Sequence, residues 1–84
     1  MTEEKPIGKV SHYFDHIGVA ILDLSDSLAV GQTVHFKGAH DDFTQTVQQM
    51  QIDHQEILSA DPGESVGVRV SQKVHENDKV LVQM

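Results

Sequence analysis

The chain has 84 residues, a hydrophobic fraction of 38%, and 13 acidic against 6 basic side chains, for a net charge of −7. That is room for one domain, burying roughly 60–65% of the surface its unfolded chain exposes and leaving no interior for a large enclosed active site. The lack of cysteine excludes disulfides and thiolate metal sites, and the acid excess weighs against non-specific nucleic-acid binding, which needs Lys and Arg to neutralise phosphate.

The charged start, Met1 to Lys5, has no apolar stretch behind it and does not read as a signal peptide. Residues 1–6 are expected to be flexible, with 7–84 forming the domain. Val10 lies on an opening strand from about Ile7 to Phe14. Ile17 to Leu22 is a continuous, short, β-branched apolar run, which predicts a central strand covered on both faces. After Ala29 to Gln32, Val34 and Phe36 alternate with Thr33, His35 and Lys37, the pattern of a half-buried strand. Gly38 ends that strand, and His40, Asp41 and Asp42 follow as a polar loop.

Phe43 to His54 resists simple alternation, because Val47 and Met50 are three apart while Met50 and Ile52 are two apart. A strand holding all three inward must slip at a bulge or corner near Gln48 and Gln49. The same spacing also fits a short helix through Phe43, Val47, Met50 and His54. Asp61-Pro62-Gly63-Glu64 has the order of a type II turn, with Pro presetting φ and Gly accepting a positive one. Val66, Val68 and Val70 then alternate with Gly67, Arg69 and Ser71. Asn77-Asp78 breaks the chain before a closing strand at Val80 to Val82. No apolar run approaches the ~20 residues of a membrane helix, so the expected setting is cytoplasmic, without membrane contact.

Several of these segments resemble, in order, the second domain of elongation factor Tu-type translational GTPases. They are Ile7-Gly8-Lys9-Val10, His16 to Ala20, Leu28 to Val34, Phe43 to Ile52, Ala60 to Val70 and Asn77 to Val80. Gln32 and Glu64 stand where that family often has Asp, and Asn77 where it often has Gly. The resemblance implies an all-β fold, a small closed antiparallel barrel of six to seven strands of the translation-protein type. It also implies a stand-alone binding or adaptor module near the translation apparatus, with an unknown protein as partner. No G-x-x-x-x-G-K-S/T phosphate loop occurs, so GTP binding and hydrolysis are not expected. A related barrel is also appended to a family of collagenase-like peptidases, whose catalytic part is absent here.

In the translation factors this domain helps hold the aminoacyl end of tRNA, which makes an RNA or tRNA-end contact an alternative. The candidate contact residues are Lys9, Phe43, Gln45, Arg69 and Lys73. Arg69 with Lys73 offers a small phosphate contact. Phe43 either plugs the barrel end or meets a partner, and the run of Gln45, Gln48, Gln49, Gln51 and Gln55 gives an uncharged polar surface suited to protein. A further alternative is a subunit that completes a separately encoded enzyme.

Six histidines are present: His12, His16, His35, His40, His54 and His75. Imidazole suits zinc or nickel. His12 and His16 would share a face only on a helix, though, and the stretch reads as strand then turn. His40 beside Asp41 and Asp42 is the next arrangement considered. No metal, cofactor or catalytic residue is assigned. Ser11-His12, Ser59 and the pair Asp41 and Asp42 supply residue types, but no motif brings them together.

Overall fold

The computed structural model describes residues 3–39 and 41–83. Among the described residues the chain forms β-strands, turns and irregular segments, with no helix. Ten strands follow in chain order: β1 (Glu4–Phe14), β2 (Val19–Leu24), β3 (Leu28–Ala29), β4 (Thr33–Lys37), β5 (Asp42–Thr46), β6 (Met50–Ile52), β7 (Gln55–Ile57), β8 (Ser59–Ala60), β9 (Ser65–Arg69) and β10 (Lys79–Gln83). Eight of them form one antiparallel sheet in the order β5-β4-β10-β1-β2-β9-β6-β7, and β3 pairs with β8 separately.

Alternation makes the core. Ala20, Leu22 and Leu24 of β2, Val66 and Val68 of β9, Val34 and Phe36 of β4 and Val80 and Val82 of β10 all point to one buried face. Ile7, Val10, Leu28, Val47 and Met50 complete it. β1 bends to wrap this core through two register shifts, between Pro6 and Gly8 against β10 and between Val10 and His12 against β2. Gly8 sits at the first of them because a Cβ there would collide with the Asp23 carbonyl. Asn77, with φ 71°, turns the chain into β10. The following peptide bridges to β1, with Val10 N–H donating to the Asp78 carbonyl at 2.9 Å and Asn77 N–H donating to the Val10 carbonyl at 2.7 Å.

The expected half-buried strands at Thr33–Lys37 and around Val66 are observed, as is the closing strand. Gly63 takes φ 89°, as its turn requires. Between Phe43 and His54 the chain turns a corner and forms no helix. β5 pairs with β4, Val47 plugs the core, and β6 continues against β9. The corner is fixed by Val47 N–H donating to the Gln32 carbonyl at 2.8 Å and Gly31 N–H to the Val47 carbonyl at 2.9 Å.

Three expectations are corrected. β1 begins at Glu4, so residues 4–6 belong to the sheet. The apolar run at 17–22 is not a strand covered on both faces. Ile17 lies in the turn before β2 and is 59% exposed, and only alternate residues of β2 are buried. Finally, the sheet is not a closed barrel of six to seven strands. Its edges, β5 and β7, have no ladder between them. Where β5 approaches the end of β9, the join is a side chain: the Gln45 amide donates to the Arg69 carbonyl at 2.7 Å and accepts from Ser71 N–H at 2.8 Å. A single side-chain amide spans a gap that a backbone ladder would have to close.

Candidate functional site

The outer face of β2, β9 and β6 carries an apolar groove. Cross-strand register sets its floor, since Ile21 faces Gly67 and Gly67 in turn faces Gln51, with Val19 one step along. Gly67 leaves a depression there. A Cβ at this position would lie 3.3 Å from Val19 Cγ1 and 3.6 Å from Ile21 Cδ1, so two branched side chains already flank a spot with no side chain of its own. Ile52 and Ser65 add to the lining, and the groove encloses about 300 Å³.

Two turn tips wall this groove. The β1–β2 turn is closed by Gly18 N–H donating to the Phe14 carbonyl at 2.9 Å, with Gly18 at φ 67°. It carries Phe14, 43% exposed, and Ile17. The opposite wall is the β6–β7 turn, where Asp53 and His54 take φ 52° and 64°. Two consecutive positive φ values suit the right-handed twist of a two-residue hairpin, but that conformation carries a backbone cost in any residue other than glycine. Asp15, also on the first tip, is exposed. Among the groove's lining residues there is no Lys or Arg; Arg69 stands beyond its end, next to Gln49 and Gln51.

A second cluster lies at the loops beside β10. Asp41, His75 and Asp78 present donor atoms within 4.8 Å of one another, the geometry that three metal ligands need. Their bonds run to each other instead. His75 N–H donates to Asp78 Oδ2 at 3.0 Å, His75 Nδ1 meets Asp41 Oδ2 at 2.7 Å, and the Asp41 and Asp78 carboxyls lie side by side. Asp78 is 4% exposed, and burial, reinforced by Asp41, pushes its carboxyl above the usual range. Gly38 packs against this carboxylate, where a Cβ would collide with it. The cluster cross-links the β4–β5 loop to the turn before β10.

The residues singled out from sequence do not form one site. Lys9 on β1 is exposed and lies two strands and four residues from Arg69, roughly 15 Å by strand geometry. Lys73 is exposed in the loop after β9. Phe43 is half-buried, stacked on Phe36 at 5.2 Å between ring centroids. Gln45 and Arg69 do meet, beside a groove of about 320 Å³ that Thr46, Gln48, Val70 and Ser71 complete. There the Gln45 amide is committed to backbone groups, and it is the Arg69 carbonyl that it meets. His12 pairs with Glu76 at 3.5 Å and packs edge-on against Phe14, while His16 lies 3.7 Å from Asp15. His35 is held between Glu4, at 2.7 Å, and Asp42. His40 falls outside the described residues. The groove residues Phe14, Ile17 and Asp53 and the buried Asp78 were not singled out as site residues, and His54 was named only among the histidines and on a helix face that does not form. Ile17 reads in the sequence as the first residue of an apolar strand, so its place at a turn tip is visible only in the structure.

Comparison with known proteins bears on the fold. No family profile matches the chain. An uncharacterized protease of Methanocaldococcus jannaschii is 33% identical over 77 residues, 90% of this chain. The chain spans 19% of that relative's length. The fold is that of the C-terminal domain of a Geobacillus thermoleovorans protein described as a U32 peptidase. The TM-score is 0.87 at 21% identity, covering 93% of this chain and 91% of that domain. Its selenomethionine variant gives 0.86 at 23% identity, covering 90% and 96%. These findings overturn the translation-factor reading. The matches are to peptidase-associated sequence and fold, and none of the three is an elongation-factor barrel. The translation-linked adaptor role falls with that resemblance.

Proposed function

We propose that this chain is an accessory module of a U32-type peptidase, attached to or assembled with a larger catalytic portion, and that it contributes binding where the larger portion contributes hydrolysis. The observation that carries this reading is the 33% identity over 77 residues to a segment that makes up one fifth of a protease. The fold shared with a peptidase C-terminal domain supports it. The polar clusters fit the same division of labour. Asp41, His75 and Asp78 lie together and tie a loop to the turn before β10, and His35 is held by the carboxylates of Glu4 on β1 and Asp42 on β5. A cytoplasmic setting is in keeping with a cysteine-free composition.

A graft tests this. The matching segment of the Methanocaldococcus protease is deleted, or replaced by this chain, and hydrolysis of labelled casein is compared with that of the intact protein. Deletion is expected to lower hydrolysis and the graft to restore it, while this chain alone is inactive. A graft no better than the deletion, or hydrolysis by the isolated chain, would overturn the reading.

A further inference from the structure

We infer that the groove over Gly67 is the docking face for the peptidase's larger portion, and that it receives an apolar protrusion ringed by Lys or Arg. The inference rests on the accessory-module reading above and adds the place and chemistry of contact. The groove's apolar surface is surplus to folding. Phe14 and Ile17 are 43% and 59% exposed, while the core is complete on the opposite face of the same strands. Exposed large apolar residues gathered around a concave floor mark interaction sites, whereas singly scattered ones do not.

A second copy fits less well, because it would bring like charge against like charge. Each chain carries a net −7, and the two walls of the groove carry Asp15 and Asp53 with no Lys or Arg in the lining. A cationic rim on the partner matches those walls. The glycine floor, flanked by Val19 and Ile21, sets where the apolar protrusion sits. The β6–β7 turn at Asp53 and His54 forms one wall.

Hydroxyl-radical footprinting of the graft and of the free chain tests the inference. Phe14, Ile17 and His54 are expected to be modified several-fold more slowly in the graft, with Leu58, an exposed apolar residue outside the groove, unchanged. Ile17→Asp in the graft is expected to remove the protection at Phe14 and His54 while the free variant keeps its circular dichroism spectrum and melting temperature. Equal modification in graft and free chain, or protection confined to Leu58, overturns the docking face. If casein hydrolysis is restored in that case, the accessory-module reading stands without it. If hydrolysis is not restored, both fall. Protection of the same residues in the free chain that grows with its concentration assigns the groove to a second copy and also overturns the inference.

Discussion

Both faces of β2 carry branched apolar residues, and the two sets meet different fates. On the inner face Ala20, Leu22, Val66 and Val68 are fully buried against Met50 and Val47. On the outer face Val19, Ile21 and Gly67 stay half-exposed beneath the tips that carry Phe14 and Ile17. Register decides which face a residue occupies. What the difference teaches is that apolar character alone does not separate residues that fold this domain from residues left over for a partner.

Substitutions can break that comparison. The largest effect is expected at Phe36, buried in the core and stacked on Phe43. Phe36→Ala should cost about 3–5 kcal/mol in urea unfolding, and a loss under 1 kcal/mol would mean that the inner face is not the source of stability. Gln45→Ala removes the amide that spans the seam between β5 and the end of β9. It should cost about 1–2 kcal/mol and selectively speed hydrogen exchange at the Ser71 amide. An unchanged Ser71 exchange rate would show that the seam is held some other way.

His35 tests whether polar side chains outside the core hold strands together. It links Glu4 of β1 to Asp42 of β5 across β4 and β10. The Asp42 carboxylate raises the His35 pKa, burial opposes the rise, and Glu4 adds to it. A folded pKa above the unfolded ~6.5 gives stability that is full below that value. It is lost as pH rises through the folded pKa. Urea midpoints should therefore fall as pH rises from about 6.5 through the raised folded pKa, and fall less in His35→Gln. Equal slopes in the two proteins would remove this tie from the account. The Lys5–Asp26 ion pair acts in the opposite direction. The bond to Lys5 lowers the Asp26 pKa, so what this pair contributes is present above the unfolded ~3.8 and lost as pH falls through the folded value. The smallest effect belongs to the outer face. Ile17→Asp should leave stability within about 0.5 kcal/mol of the wild type, and a large loss would mean that Ile17 serves the fold after all.

The inner face was legible in the sequence because alternation is a local signal. Val66, Val68, Val34 and Phe36 announce their strands directly. The outer face was not legible. Val19 and Ile21 interleave with Ala20 and Leu22 into one apolar run, which reads as burial on both sides whether or not anything covers the second side. The β6–β7 turn was hidden because Asp53-His54 lacks the Gly that usually marks such turns. Barrel closure was overestimated because the seam depends on one long-range amide, 24 residues from its partner Arg69, and no periodicity encodes such a contact. The segments that suggested a translation factor, such as Asp61-Pro62-Gly63 before Val66-Gly67-Val68, carry turn and strand chemistry that many small antiparallel folds need. They report shape more than ancestry.

The position of β10 sets the order in which this fold can assemble. It follows all nine other strands in the chain, yet it lies between β1 and β4 in the sheet. On a ribosome, the β4–β5 hairpin and the β1–β2 hairpin are therefore made early but cannot be joined until residues 79–83 emerge. Until that moment both hairpins present open backbone edges. Such a late, non-local closure predicts slow folding for a chain of this size, and a demand for protection from aggregation while the gap stands open.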